Sequence, residues 1–170
     1  MSLKQFITSD YCLQCRGCCR FLRPDSAWSP GLTDEDILNI RGYAQSDSCV
    51  TADKRIRLIR DPGGEGFFCP FLRIEDNTCV LYAVRPFECL LYPFVINRRD
   101  GRIFLAVDAN CPFAEEMVRV SGKGAGGGWE NYIAYLEDLL NKEPQCGLLK
   151  RNPHIIQTYK DVLDLRELFR

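Results

Sequence analysis

Four cysteines lie within eight residues near the start of the chain, at Cys12, Cys15, Cys18 and Cys19. A Cys-x2-Cys-x2-Cys run gathers three sulfurs on one short stretch of backbone, as in segments that hold iron–sulfur clusters or zinc. Adjacent side chains point in different directions on a strand and on a helix. Cys18 and Cys19 therefore belong to two neighbouring metal sites, or one of the two is not a ligand.

Four of the remaining six cysteines continue the pattern. They are Cys69, Cys79, Cys89 and Cys111. The eight thiols are enough for two four-cysteine sites, and their softness suits both iron–sulfur clusters and zinc. The first run matches the three-ligand segment of bacterial ferredoxins, which favours iron–sulfur, and [4Fe-4S] in particular, although the Cys-x3-Cys-Pro ending is absent. The wide spacing of the later cysteines departs from the paired Cys-x2-Cys knuckles of a zinc ribbon, so zinc is the alternative.

The other two cysteines, Cys49 and Cys146, fall outside the pattern. We expect them to pack as small buried hydrophobic side chains. A disulfide framework is disfavoured for all ten, because the chain is long enough to build a core without cross-links and we expect a reducing compartment.

Length, charge and hydropathy limit the possible partners. The 170 residues fit one globular domain, and 22 Lys and Arg balance 23 Asp and Glu to give a net charge of −1. Without a basic excess, nucleic acid is not an expected partner. The apolar stretches are shorter than the roughly 18 residues of a membrane span, and the N-terminus lacks a secretory signal. We expect a soluble, cytoplasmic protein with no membrane insertion.

The pattern of apolar residues predicts an α+β fold. A helix capped by Thr33 should precede a strand over residues 55–60, and two hairpins should turn near residues 75–77 and 99–101. From residue 113 the chain reads as helical, with an apolar stripe from Trp129 to Leu140 and a last helix through Tyr159 and Leu168. We therefore predict a cysteine-rich, metal-binding region over residues 1–112 and a helical extension over 113–170 that packs on it in a single domain.

A glycine-rich segment over residues 121–128 satisfies the letter of G-x-G-x-x-G at Gly122, Gly124 and Gly127. A dinucleotide fingerprint follows a strand, whereas the preceding residues read as a helix. Its composition favours a flexible linker.

Three arginines close to the cysteines in sequence could assist a metal centre. Four thiolates around a metal ion leave a net negative charge, which nearby cationic donors stabilise. Arg16, Arg20 and Arg85 are the candidates for this supporting role, and each can equally be an ordinary surface or interface arginine. The single histidine, His154, lies outside the pattern and is not an expected ligand.

The residues around the later cysteines carry a family resemblance. A Tyr-x-x-Arg-Pro-x-x-Cys element runs from Tyr82 to Cys89, and a Cys-Pro pair follows at Cys111. With the first run, they resemble the cysteine-cluster family, named for its C-x-x-C-x-x-C-C signature and described as zinc- or iron-chelating or as Fe–S oxidoreductases. The resemblance covers residues 12 to 112. Since some relatives transfer methyl groups to flagellin lysines, it also allows a metal-dependent methyltransferase.

The leading functional hypothesis is an iron–sulfur protein that acts in electron transfer or as a redox- and oxygen-responsive accessory of a larger protein. A zinc-stabilised protein-interaction module and a metal-dependent enzyme are the alternatives. Catalysis is left open, and no catalytic residue is assigned. In each case we expect a protein partner or a larger complex.

Overall fold

The computed structural model describes residues 3–8, 10–11, 15, 17–44, 48–121 and 127–169. The chain forms two compact units, Met1–Leu90 and Leu91–Arg170. Both contain helices and antiparallel strands, which confirms the predicted α+β class. The predicted boundary at residue 112, and the packing of the helical extension on the cysteine-rich region, stay predictions.

The first unit is built from short elements around an apolar core. Its elements are β1 (Arg20–Phe21), α1 (Asp34–Ala44), β2 (Ile59–Arg60), β3 (Phe67–Phe68), β4 (Leu72–Arg73), β5 (Thr78–Cys79), a 3₁₀ helix (Tyr82–Val84) and α2 (Phe87–Leu91). The first three strands form a sheet in the order β1-β3-β2, and β4 pairs with β5 in the predicted first hairpin. Two-residue strands supply few ladder hydrogen bonds, so the unit depends on side-chain packing. Leu32, Ile40, Ile56 and Leu81 are fully buried at its centre.

The start of α1 is fixed by a reciprocal cap. The Asp36 backbone N–H donates to Thr33 Oγ1 over 3.1 Å, and the Thr33 N–H donates to Asp36 Oδ2 over 2.8 Å. This is a capping box in which aspartate takes the usual place of glutamate. The predicted N-cap at Thr33 is confirmed.

The second unit is a three-stranded antiparallel sheet with helices. Its elements are β6 (Phe94–Arg99), β7 (Arg102–Asp108), α3 (Pro112–Ser121), α4 (Gly127–Asn141), α5 (Gln145–Arg151), a 3₁₀ helix (Pro153–Ile155) and β8 (Val162–Leu168). The strand order is β6-β7-β8, with β7 in the centre. The predicted stripe of α4 is confirmed: Trp129, Ile133, Leu136 and Leu140 are buried, and the ring of Phe94 lies 5.0 Å from that of Trp129.

The β6–β7 hairpin turns through two residues. Arg99 pairs with Arg102, and the intervening Asp100 and Gly101 have φ angles of 51° and 76°. Two positive φ angles define the type I′ turn, whose twist matches that of the strands and whose preferred sequences include Asp-Gly. The predicted second hairpin is confirmed.

The end of the chain corrects the sequence-based expectation. Residues 162–168 form β8, which pairs antiparallel with β7 from Asp108↔Val162 to Ile103↔Leu168, whereas a helix was predicted there. The prediction was wrong because apolar spacing in a short segment fits both a helix and a strand, and pairing with a strand distant in sequence decides between them. Gly122 and Gly124 of the predicted linker lie outside the described residues. In the described part of the chain, no helix is both long and apolar enough to cross a membrane.

Candidate metal centre

Short backbone pairings bring cysteines from distant parts of the first unit together. Cys18 and Cys19 come directly before β1, which pairs with β3, and the Cys69 N–H donates to the Cys19 carbonyl over 3.0 Å. The β4–β5 hairpin then returns the chain so that Cys79 lies opposite Leu72. Cys89 follows in α2. Four segments therefore contribute one thiol each to the region that we call the thiol cluster, Cys18, Cys69, Cys79 and Cys89.

The environment of these sulfurs makes the thiolate form unfavourable. The pKa of Cys69 is raised to about 12, mainly by burial and to a smaller extent by the charges of Cys79 and Cys18. Burial also raises the pKa of Cys89 well above its usual range, and the charges of Cys69, Cys18 and Cys79 act in the same direction. Burial is again the main cause of the raised pKa of Cys79. The four thiols thus act on one another electrostatically. Cys69 is buried in the core, Cys79 and Cys89 are half-buried and Cys18 is exposed, and repulsion between thiolates is most costly at the buried sulfur.

Cys18 also interacts with its sequence neighbour. The sulfurs of Cys18 and Cys19 lie 4.0 Å apart, and their hydrogen bond is the main cause that raises the pKa of Cys18. The two sulfurs are therefore close in space, although the side chains of adjacent residues usually point in different directions. Cys15 is exposed, and Cys12 lies outside the described residues.

The donor set suits a soft metal ion. Zinc and the iron of iron–sulfur clusters both prefer sulfur ligands, and a bound cation would offset the repulsion between thiolates in the thiol cluster. Within the described residues, however, no three Cys, His, Asp or Glu side chains are grouped closely enough to hold one metal ion.

The three candidate supporting arginines differ in the interactions that the structure shows for them. Arg85 lowers the pKa of both Cys18 and Cys79 through its positive charge. Arg20 donates to the side-chain oxygen of Asn77 over 2.8 Å. Arg16 lies outside the described residues.

Cys111, the last cysteine of the pattern, lies in the second unit. It is 3% exposed and caps α3, since its carbonyl accepts the Glu115 N–H over 2.9 Å. Burial raises its pKa, while the N–H groups of Ala114 and Phe113 and the hydroxyl of Tyr92 act in the opposite direction. The sulfur therefore has hydrogen-bond donors around it, and its role as a ligand stays a prediction.

Comparison with known proteins identifies a family over the part of the chain that carries these cysteines. Residues 11–112 match the CxxCxxCC family, described as "Putative zinc- or iron-chelating domain". The chain belongs to this family. It is also 28% identical over 102 residues to an uncharacterized protein of the archaeon Methanocaldococcus jannaschii, a match that covers 58% of this chain. The chain spans about half the length of that relative, 52%. No solved structure matches it significantly.

Two acidic residues of this family member were missed from the sequence. The Gly31 N–H donates to Glu88 Oε2 over 2.6 Å, and the Phe87 N–H donates to Asp36 Oδ1 over 3.2 Å. Burial raises the pKa of Glu88 to about 7 and also raises that of Asp36. These hydrogen bonds link α2, which carries Cys89, to other parts of the unit. Asp36 links it to α1, and Glu88 links it to Gly31, which precedes α1. No motif indicated these two contacts, because each joins a carboxyl group to a backbone N–H more than fifty residues away.

The two cysteines outside the pattern differ in their surroundings. Cys146 is buried in α5, as expected for a packing residue. Cys49 is half-buried against the core that contains Cys69, and its charge is among the causes that raise the pKa of Cys69. Its carbonyl accepts the Arg57 N–H over 2.8 Å, and the Arg57 side chain binds the carbonyls of Ser48 and Val50. Arg57 therefore stabilises the loop that carries Cys49.

Proposed function

We propose that the protein binds two iron–sulfur clusters through cysteine thiolates, most of them in the first unit, and that it acts in electron transfer or as a redox-responsive accessory. The observation that carries the proposal is the thiol cluster, in which cysteines from four segments act on one another around the buried Cys69. Membership of a family described as zinc- or iron-chelating supports the same class of ligand. The cysteines Cys12, Cys15 and Cys19 of the first run are proposed to complete the ligand set, with Cys111 as the remaining candidate.

Without metal, the thiol cluster is expected to be uncharged near neutral pH. Thiols with raised pKa values keep their protons near neutral pH. The metal-free protein therefore contains four neutral thiols rather than four thiolates that repel one another. A soft cation displaces those protons, and its charge then compensates the thiolates. Metal binding therefore couples to proton release and to the ordering of the segments that carry the cysteines.

Iron–sulfur is preferred over zinc on the spacing of the first run. Zinc is the second candidate, and the size of the strands favours it: β1 to β5 are two residues each, and structural zinc commonly stabilises units with so little regular structure. In that case the first unit is a zinc-stabilised interaction module.

The deciding experiment is elemental and sulfide analysis of protein purified without oxygen. Two four-cysteine sites predict about eight irons with matching sulfide and a brown colour, or about two zincs and no visible absorbance. Protein that holds neither metal in vivo or after reconstitution would refute the proposal.

A matched pair of variants tests the thiol cluster itself. Cys69 and Cys146 are 7% and 8% exposed, so changing each to serine disturbs a comparably buried sulfur. Cys69→Ser should lower the metal content, and Cys146→Ser should leave it unchanged. Equal metal content in both variants would exclude Cys69 as a ligand.

The proposed role as an accessory requires its own test. Metal loss removes a charged centre and frees the ligand segments, so affinity for a protein partner should change with cluster state. Phe87 is 9% exposed and packs in the interior, whereas Leu22 is exposed and can contact a partner. Partners captured with anaerobic protein should be lost or weakened after exposure to air. Turnover of a small substrate by the isolated protein would instead favour the enzyme alternative.

A further inference from the structure

Cys18 and Cys19 occupy the middle of a tight turn. The Arg20 N–H donates to the Gly17 carbonyl over 3.1 Å, so this segment forms a β-turn with the two cysteines at its central positions. The chain is also held directly after the turn, since Arg20 begins β1, which pairs with β3, and the Cys69 N–H donates to the Cys19 carbonyl over 3.0 Å. Backbone hydrogen bonds therefore fix the segment that carries the two sulfurs.

The turn brings the two sulfurs within 4.0 Å of each other, and one thiol donates a hydrogen bond to the other. On a strand the side chains of adjacent residues point to opposite faces, so this close approach depends on the turn. Adjacent Cα atoms lie about 3.8 Å apart, below the usual range of roughly 4.4–6.8 Å for disulfides, so a bond between the two sulfurs would be strained. Strained disulfides are easily reduced, which is the property of regulatory ones.

The pair is open to a reagent from solution. Cys18 is exposed, and Cys19 is half-buried beside it. An accessible thiol with a second thiol next to it is typical of cysteines that respond to oxidants, because the second sulfur resolves the first oxidation product. Cys15 is also exposed, and its sulfur lies 3.5 Å from the position that a Cβ would take at Gly17. Cys15 is therefore the alternative partner that an experiment must distinguish from Cys19.

We propose that Cys18 and Cys19 form a disulfide with each other when the metal-free protein meets a low-molecular-weight disulfide, and that this bond withdraws both thiols from metal binding. In the first step one sulfur of the pair attacks the reagent, a mixed disulfide forms, and the first small thiol leaves with the proton. In the second step the neighbouring sulfur attacks the mixed disulfide, and the second small thiol leaves with the second proton. Two protein thiols are oxidised and one reagent disulfide is reduced to two thiols, so no other oxidant is needed.

The disulfide itself needs no metal centre, whereas its effect on metal binding rests on the proposed function. Cys18 and Cys19 both belong to the first run of candidate ligands. Cysteine binds metal as the thiolate, and a sulfur in a disulfide is no longer a thiolate. The pair would therefore couple metal loading to the redox state of small thiols, since metal can enter the reduced protein and not the oxidised one.

The test is peptide mapping of full-length protein that has been reduced, freed of metal with a chelator and incubated with oxidised glutathione. The raised pKa of Cys18 slows the exchange, so samples are compared at equilibrium. Remaining thiols are blocked with N-ethylmaleimide, and the protein is digested with trypsin. Trypsin cuts after Arg16 and Arg20, so Cys18 and Cys19 share a peptide, residues 17–20, that contains no other cysteine.

We expect this peptide to carry no blocking group and to be lighter than its reduced form by two hydrogen atoms. Dithiothreitol should restore both thiols. The inference would be overturned if the peptide were recovered linked to a second peptide, or with both of its thiols blocked.

A matched pair of variants identifies the sulfur that resolves the mixed disulfide. Cys19→Ser should retain glutathione on Cys18 at an occupancy at least about ten-fold above that of the wild type, because no neighbouring thiol displaces it. Cys15→Ser should behave like the wild type. Glutathione that accumulates on Cys18 in Cys15→Ser and not in Cys19→Ser would make Cys15 the partner and overturn the assignment. If Cys19→Ser does not fold, the peptide map of the wild type decides.

Cobalt(II), whose thiolate complexes absorb visible light, tests the effect on metal binding. Oxidised protein whose other cysteine peptides are unmodified should bind cobalt at least about ten-fold more weakly than reduced protein, a loss that even a residue supporting a metal ligand can cause. Reduction and removal of the reductant should restore the affinity. A disulfide that leaves cobalt affinity unchanged would refute the withdrawal of ligands. Reduced wild-type protein without thiolate–cobalt absorbance would refute the proposed function, whereas the peptide map alone supports or refutes the disulfide.

Discussion

Replacing Glu88 with glutamine should stabilise the protein at alkaline pH. The Glu88 carboxyl has a pKa of about 7 against an ordinary value of 4.5, and burial is the main cause. The unfolded chain therefore releases this proton near pH 4.5, whereas the folded protein keeps it until about pH 7. Folding stability falls as the pH rises through this window and stays reduced above it.

The size of the effect follows from the two pKa values. At about pH 8 the ionised carboxylate costs the folded state about 3 kcal/mol, and near pH 4 it costs almost nothing. Glutamine keeps an oxygen that can accept the Gly31 N–H but carries no charge. We expect Glu88→Gln to exceed the wild type in stability by up to about 3 kcal/mol at pH 8, less any cost of burying its amide N–H groups.

The assay is urea unfolding of metal-loaded protein at a series of pH values from 5 to 8. The difference between the variant and the wild type is the quantity of interest, since the contribution of metal is common to both. Glu75→Gln serves as the control, because Glu75 is exposed. A difference that stays constant across the pH range, or a less stable variant at pH 8, would show that the carboxylate is not destabilised by burial.

Three further predictions concern the frame around the site. Thr33→Ala should cost about 1 kcal/mol of stability in urea unfolding, because it removes the cap of α1, and an unchanged midpoint would contradict that role. Asn97→Ala should cost about 2 to 3 kcal/mol, since this fully buried amide accepts the Tyr159 N–H and donates to Asp164; Asn97→Asp, which sets a buried carboxylate against that of Asp164, should cost at least as much near neutral pH, and a milder effect of Asn97→Asp would contradict the donor role. Gly101→Ala should cost about 1 kcal/mol because its φ is 76°, whereas Gly128→Ala, in a helix with no atom near the added Cβ, should not destabilise; equal effects would refute the turn argument.

The features that sequence predicted well are local ones. The cap at Thr33 and the turn at Asp100 and Gly101 depend on residues within a few positions of one another, and both are present in the structure. The apolar stripe of α4 likewise repeats within a single helix. In each case the chemistry that fixes the backbone is contained in a short stretch of chain.

The features that sequence missed depend on distant partners. β8 is a strand because β7 lies beside it, and the hydrogen bonds of Glu88 and Asp36 join groups more than fifty residues apart. The cysteine pattern predicted which thiols are candidates for a metal centre, but the effects of burial and of neighbouring thiols on their pKa values appear only in the folded unit. Likewise, the sequence named Arg85 as a candidate and gave no sign of its hydrogen bond to Gln5.

The order of strands in the second sheet has a consequence for synthesis on the ribosome. β7 is the central strand, and one of its two neighbours, β8, is made more than fifty residues later. The sheet cannot be completed until residues 162–168 have left the exit tunnel. The described strands of the first unit find their partners within the first ninety residues, so the thiol cluster can assemble and load metal while the rest of the chain is still being translated. A nascent chain stalled well beyond residue 90 should then already retain metal.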